Sequence, residues 1–65
     1  MTADLIKRYA NDTAALLSFA QGCEEEADWA ENVMAANART DAAREDWLQV
    51  ARDARASAAE LRAAC

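Results

Sequence analysis

The 65-residue chain has no histidine, no proline and a single glycine, Gly22. Without histidine there can be no Ser-His or Cys-His nucleophile pair and no imidazole metal ligand. Without proline, and with one glycine, little in the chain opposes helix. Cysteine is limited to Cys23 and Cys65. That is too few for the disulfide framework of a small secreted domain, so two reduced thiols are expected. No apolar run approaches the roughly 18–20 residues that a membrane span needs. The start of the chain lacks the basic-then-apolar pattern of a signal peptide, and the expectation is a cytoplasmic protein with no membrane contact. The last shortage is local. From Ala10 to Ala38 there is no lysine or arginine.

What is present is mostly alanine, at nineteen residues. Alanine is the best helix former, so an all-α fold follows. The length suits one domain, residues 1–65, with a thin core. Large apolar side chains are few, led by Leu5, Ile6, Tyr9, Leu16, Leu17, Phe19, Trp29, Val33, Met34, Trp47, Leu48, Val50 and Leu61. They suffice for one small bundle, with alanines at the seams letting helices approach closely. Paired carboxylates can do acid–base work only in a pocket that shifts one pKa. So thin a core leaves little room for one, and the chain reads as non-enzymatic, with no cofactor.

The pattern along the chain predicts a compact antiparallel bundle of three helices, or four or five if it breaks near Asn11 or Ser57. Thr2 is a candidate N-cap with Asp4 in the first turn. Leu5, Ile6 and Tyr9 form an apolar stripe, which Asn11-Asp12-Thr13 interrupts. Such side chains compete for backbone hydrogen bonds. Either Asp12 caps a second helix or one gently kinked helix runs through, and the second is expected. Gly22 then reads as a helix stop. A second helix is expected from Glu24 to about Ala38, burying Ala27, Ala30, Val33, Met34 and Asn37, with Trp29 at the margin. Thr40 is a candidate cap for a third helix from Asp41 towards Ala64. Its seam is Trp47, Ala51, Ala54, Ala58, Leu61 and Cys65, spaced four and three in alternation. Ser57-Ala-Ala-Glu60 has the form of a capping box, where a break is conceivable. An up-down-up order brings Cys23 and Cys65 to one side of the molecule without requiring contact.

Charge is unevenly spread. Residues 1–9 sum to +1, residues 10–38 to −6 and residues 39–65 to zero, so the middle accounts for the whole net charge of −5. Glutamates at a helix start stabilise it through the dipole, and many such clusters do nothing else. A helix selected only for stability would nonetheless gain from Glu–Lys pairs at i, i+4. Cys23-Glu24-Glu25-Glu26-Ala27-Asp28-Trp29-Ala30-Glu31 has none. Glu24, Asp28 and Glu31 share one helix face, but no loop is present to wrap a cation, so no metal site is expected. Carboxylates at i, i+4 sit about 5–6 Å apart, the scale of phosphate spacing along a nucleic-acid strand. An acidic face repels nucleic acid and attracts basic proteins. Trp47, on the seam, is expected in the core. Trp29 is either core or a part-exposed anchor. The candidate partner-binding residues are Glu24, Glu25, Glu26, Asp28, Trp29, Glu31, Asp41, Glu45 and Asp46.

In character, Glu24-Glu25-Glu26, Asp28 and Glu31 on a histidine-free, alanine-rich helical domain resemble the small acidic proteins that phages use against host machinery. Among these the chain is most similar to anti-CRISPR proteins directed at type I surveillance complexes. The resemblance implies a monomeric inhibitor acting in the bacterial host cytoplasm as a DNA mimic. It would occupy the basic DNA-entry or PAM-reading surface of a Cas protein and would not bind nucleic acid itself. The alternatives are a self-associating structural subunit, or an antitoxin-like or adaptor module with a basic partner.

Overall fold

The computed structural model describes residues 2–65, and every regular element among them is helical. Helix α1 spans Thr2–Arg8, α2 spans Thr13–Trp29 and continues as a π-helical segment over Ala30–Ala35, and α3 spans Asp41–Ala63.

Helix α1 follows the dipole rule, with Asp4 in its first turn and Lys7 and Arg8 in its last. Thr2 is its first helical residue rather than a cap, and its hydroxyl donates to Ser57 Oγ on α3 at 3.2 Å. The chain then breaks where the continuous helix was expected. The Asp12 amide donates to the Tyr9 carbonyl at 2.9 Å, closing a turn. The Asp12 carboxylate accepts from the Ala15 amide at 3.0 Å and caps α2. A side chain able to satisfy a free helix-end amide outweighs continuation of the backbone ladder here.

Gly22 does not stop a helix. It lies in the interior of α2, with no positive φ. Glycine's cost in a helix is about 1 kcal/mol against alanine, and burying a leucine side chain contributes about 1.5–3 kcal/mol. The apolar stripe Leu16, Ala20 and Ala27 runs straight past Gly22 and is fully buried, so packing overrides the local preference. Cys23 consequently sits mid-helix, half-buried against Leu16, Ala20, Ala58 and Leu61.

The lower part of the second helix also departs from expectation. Ala27, Ala30 and Ala35 are buried, Met34 is half-buried, and Val33 and Asn37 are exposed. The π-helical turn is the reason. It bonds five residues back instead of four, so Ala35 rather than Val33 or Met34 stacks below Ala30. Asn37 turns its amide back onto the Val33 carbonyl at 2.6 Å.

Helix α3 matches its expectation closely. Thr40 caps it, accepting from the Ala43 amide at 3.1 Å. Ala51, Ala54, Ala58 and Leu61 are buried, and the helix passes Ser57 unbroken. Cys65 lies beyond the helix end and is exposed.

Two clusters make the core. Leu16 and Ala20 meet Ala58 and Leu61, with Leu5, Ile6, Tyr9, Phe19 and Cys23 packed against them. Ala27 and Ala30 meet Ala51 and Ala54, with Trp47 and Val50 alongside. Low numbers on α2 meet high numbers on α3. Cys23 packs on the cluster that holds Leu61, Cys65 follows the end of α3, and both thiols are free. Among the described residues, only Leu16 and Leu61 are large and fully buried. With a seam of alanine the molecule is a rod of 43 × 16 × 14 Å. Its radius of gyration is 13.3 Å, where a compact chain of this length would have about 11 Å.

Candidate interaction surface

The α2–α3 seam has two flanks, and their electrostatics differ. On one, acidic residues of α2 meet arginines of α3. Arg62 holds Glu24 through two bonds, Nε to Oε1 and Nη2 to Oε2, each 2.9 Å. Arg55 reaches Asp28 at 3.3 Å and also bonds Glu31. The hydrogen bonds from Arg62 hold the Glu24 carboxyl below its ordinary range, with desolvation opposing and the arginine's charge assisting. The bond to Glu31 raises Arg55, and the bond to Glu24 raises Arg62.

The acidic stretch is therefore compensated in space although not in sequence. The signal was present in the spacing. Arg55 and Arg62 are seven apart, as are Glu24 and Glu31, and each follows a seam position by one residue. That is the arrangement by which helices pair charges across a seam. Glu24, Asp28 and Glu31 share one face of α2 and its π-helical continuation, and it is the face the fold neutralises. Asp41 pairs with Arg44 at 3.1 Å and Glu45 with Arg52 at 2.8 Å, both on the outside of α3.

The other flank carries no such pairs. Glu25 takes only the amide of Gln21, at 3.3 Å, and Glu26 and Asp46 meet no cation among the described residues. Asp53, absent from the sequence-based candidates, takes only the amide of Gln49, at 2.8 Å. Trp29 lies one turn past Glu25 and Glu26 and is 46% exposed, as is Val33 one turn further on. Residues three and four apart are neighbours on a helix surface, so these four side chains share one patch. Trp29 stands edge-on to Trp47, with ring centroids 5.4 Å apart and planes at 83°. That geometry suits the quadrupoles of the two rings and fixes the exposed indole. Of the nine candidate residues, Glu25, Glu26, Trp29 and Asp46 are left available, and the other five are engaged within the chain.

No group of three or more metal-ligating side chains converges among the described residues, and none of the helices is long and apolar enough to cross a membrane. No protein-family model matches the chain, and no curated protein or solved structure matches it. The functional reading therefore rests on the chain's own surface.

Proposed function

We propose that this chain is a non-enzymatic inhibitor that presents an acidic, tryptophan-bearing helical face to a basic nucleic-acid-binding site on a partner protein. One observation carries the reading. After the fold has paired the acidic residues it can, Glu25, Glu26, Asp46 and Asp53 remain without a cation among the described residues, beside an indole that is nearly half exposed. Unpaired carboxylates repel one another and cost stability, whereas a partner's lysines and arginines would relieve that repulsion. Trp29 supplies the apolar anchor that such interfaces favour. The opposed pairing of α2 and α3, with α1 against them, supports an antiparallel three-helix arrangement that holds this face rigid.

The resemblance to anti-CRISPR proteins of type I systems gives the partner its most specific form: a Cas protein's DNA-entry or PAM-reading surface, in the cytoplasm of a bacterial host. The test is competition. The chain should displace duplex DNA from a purified type I surveillance complex, less well as salt rises. The triple variant Glu25→Lys, Glu26→Lys, Asp46→Lys should lose displacement while keeping its helical circular dichroism. A triple variant that displaces DNA as well as the parent overturns the acidic-face reading.

A second reading, self-association as a structural subunit, is favoured by the exposure of Leu17, Trp29 and Val33. Sedimentation equilibrium separates the two, because a mass of 7.1 kDa rules the second out.

A further inference from the structure

We infer that the flank without arginine–carboxylate pairs between α2 and α3 seats a cationic amphipathic helix of the partner, in the groove beside α1. This rests on the reading that the partner is a basic protein, and it specifies the element by which that partner is held. Helix α1 shows what the groove accepts. Its Leu5 and Ile6 pack on the Leu16, Ala20, Ala58 and Leu61 cluster, and Thr2 bonds Ser57. Beside Thr2 and Leu5 the groove opens as a cavity of about 440 Å³. Cys23, Val50 and Ala54 form its floor, while Glu26 on α2 and Asp53 on α3 form its opposite walls.

The groove has a measurable reach. From Ser57 to Val50, both of which line it, is seven residues of α3, roughly 10 Å at about 1.5 Å each, or about two turns of helix. Asp46 stands one turn before Val50 on α3. An occupant must therefore carry an apolar stripe for the floor, with lysine or arginine on both edges to meet Glu26 and Asp53. Neither wall residue meets a cation of its own among the described residues. An anionic helix would face carboxylates from both walls, and a nucleic-acid strand is excluded by the same sign of charge. The opposite flank cannot serve, because Arg55 and Arg62 already fill that role from within the chain.

The test uses the full chain carrying Cys65→Ser, so that Cys23 on the groove floor is its single thiol. The probe is a synthetic Leu/Lys peptide of about 14 residues patterned as an amphipathic helix, roughly four turns long. The controls are a scrambled peptide of the same composition and a Leu/Glu helix. At saturation the patterned Leu/Lys peptide should slow alkylation of Cys23 by about tenfold or more. It should also shift the amide resonances of Val50, Ala54 and Ser57. Both controls should fail, and the variant Glu26→Lys, Asp53→Lys, still helical by circular dichroism, should lose the effect.

A scrambled peptide that protects Cys23 equally overturns the groove, since charge alone would then suffice. So does a patterned peptide whose shifts map to the Arg55 and Arg62 flank. A dimer of the chain in which Cys23 is protected without peptide gives the groove to a second copy, which also overturns the inference. The DNA-displacement assay separates this inference from the broader reading. If no peptide protects Cys23 while the Glu25, Glu26, Asp46 triple variant still loses displacement, the groove alone is wrong. If displacement survives that triple variant, the acidic face itself is wrong.

Discussion

Arg62 and Glu24 meet across the α2–α3 seam as a fork on a carboxylate, with two bonds of 2.9 Å between residues 38 positions apart. Such bidentate pairs are the strongest geometry open to an arginine. The pair has a pH signature. Glu24 titrates below its ordinary value of 4.5, so the folded state binds a proton there less readily than the unfolded chain. The pair's contribution is present above that ordinary value and is lost as pH falls through the lowered folded value. NMR titration of the Glu24 carboxyl should show the depressed midpoint, and Arg62→Gln should return it to the usual range. An unchanged midpoint in Arg62→Gln would show that another group sets it.

Gly22 offers a test of opposite sign to the one that its sequence position suggests. A glycine stop in the left-handed region would make Gly22→Ala destabilising. In the interior of α2, with open space around the added methyl, the same change should stabilise by about 0.5–1 kcal/mol. Urea unfolding of the two proteins decides between them. A lower midpoint for Gly22→Ala would show that the helix does end there.

The π-helical segment predicts tolerance of a deletion. Ala30 and Ala35 are both buried, five residues apart. Removing the exposed Asn32 would leave them four apart, the repeat of an ordinary α-helical turn. The deletion variant should fold with its Ala27–Ala30–Ala35 stripe intact and with α-helical chemical shifts through the segment. A regular α-helix with its stripe already in register would instead be thrown out by the loss of one residue, at about 100° per residue. Loss of the cooperative fold in the deletion variant would contradict the observed register.

These cases also show what could be read from the residues. Helix α3 was legible because three signals agreed: Thr40 as cap, the four-three spacing of Ala51, Ala54, Ala58 and Leu61, and charge on the remaining faces. The Arg39 turn was legible for the same reason. At Gly22 the local signal was real, but its outcome depended on packing along the whole stripe, while at Asn11-Asp12-Thr13 the residues allowed two outcomes and the Asp12 cap prevailed. Val33 was misplaced because a π-helical turn changes which residue follows Ala30 on the seam, and no residue type announces such a turn. The acidic stretch was correctly noticed and incompletely understood. Its missing bases were sought within the same helix, at i, i+4, while Arg55 and Arg62 supply them from another. What remains of the candidate site is Glu25, Glu26 and Asp46, which meet no cation among the described residues, beside the part-exposed Trp29.

The unequal flanks have a consequence for motion in solution. Charge that is balanced along one side of a rod and unbalanced along the other gives the molecule an electric moment across its long axis. In the field of a cationic body such a rod turns before it touches. Encounters would begin with Trp29 and the unpaired carboxylates leading, and the arginine side trailing. Added salt would weaken the attraction and the alignment together, within about the 8–10 Å over which charges act at physiological ionic strength.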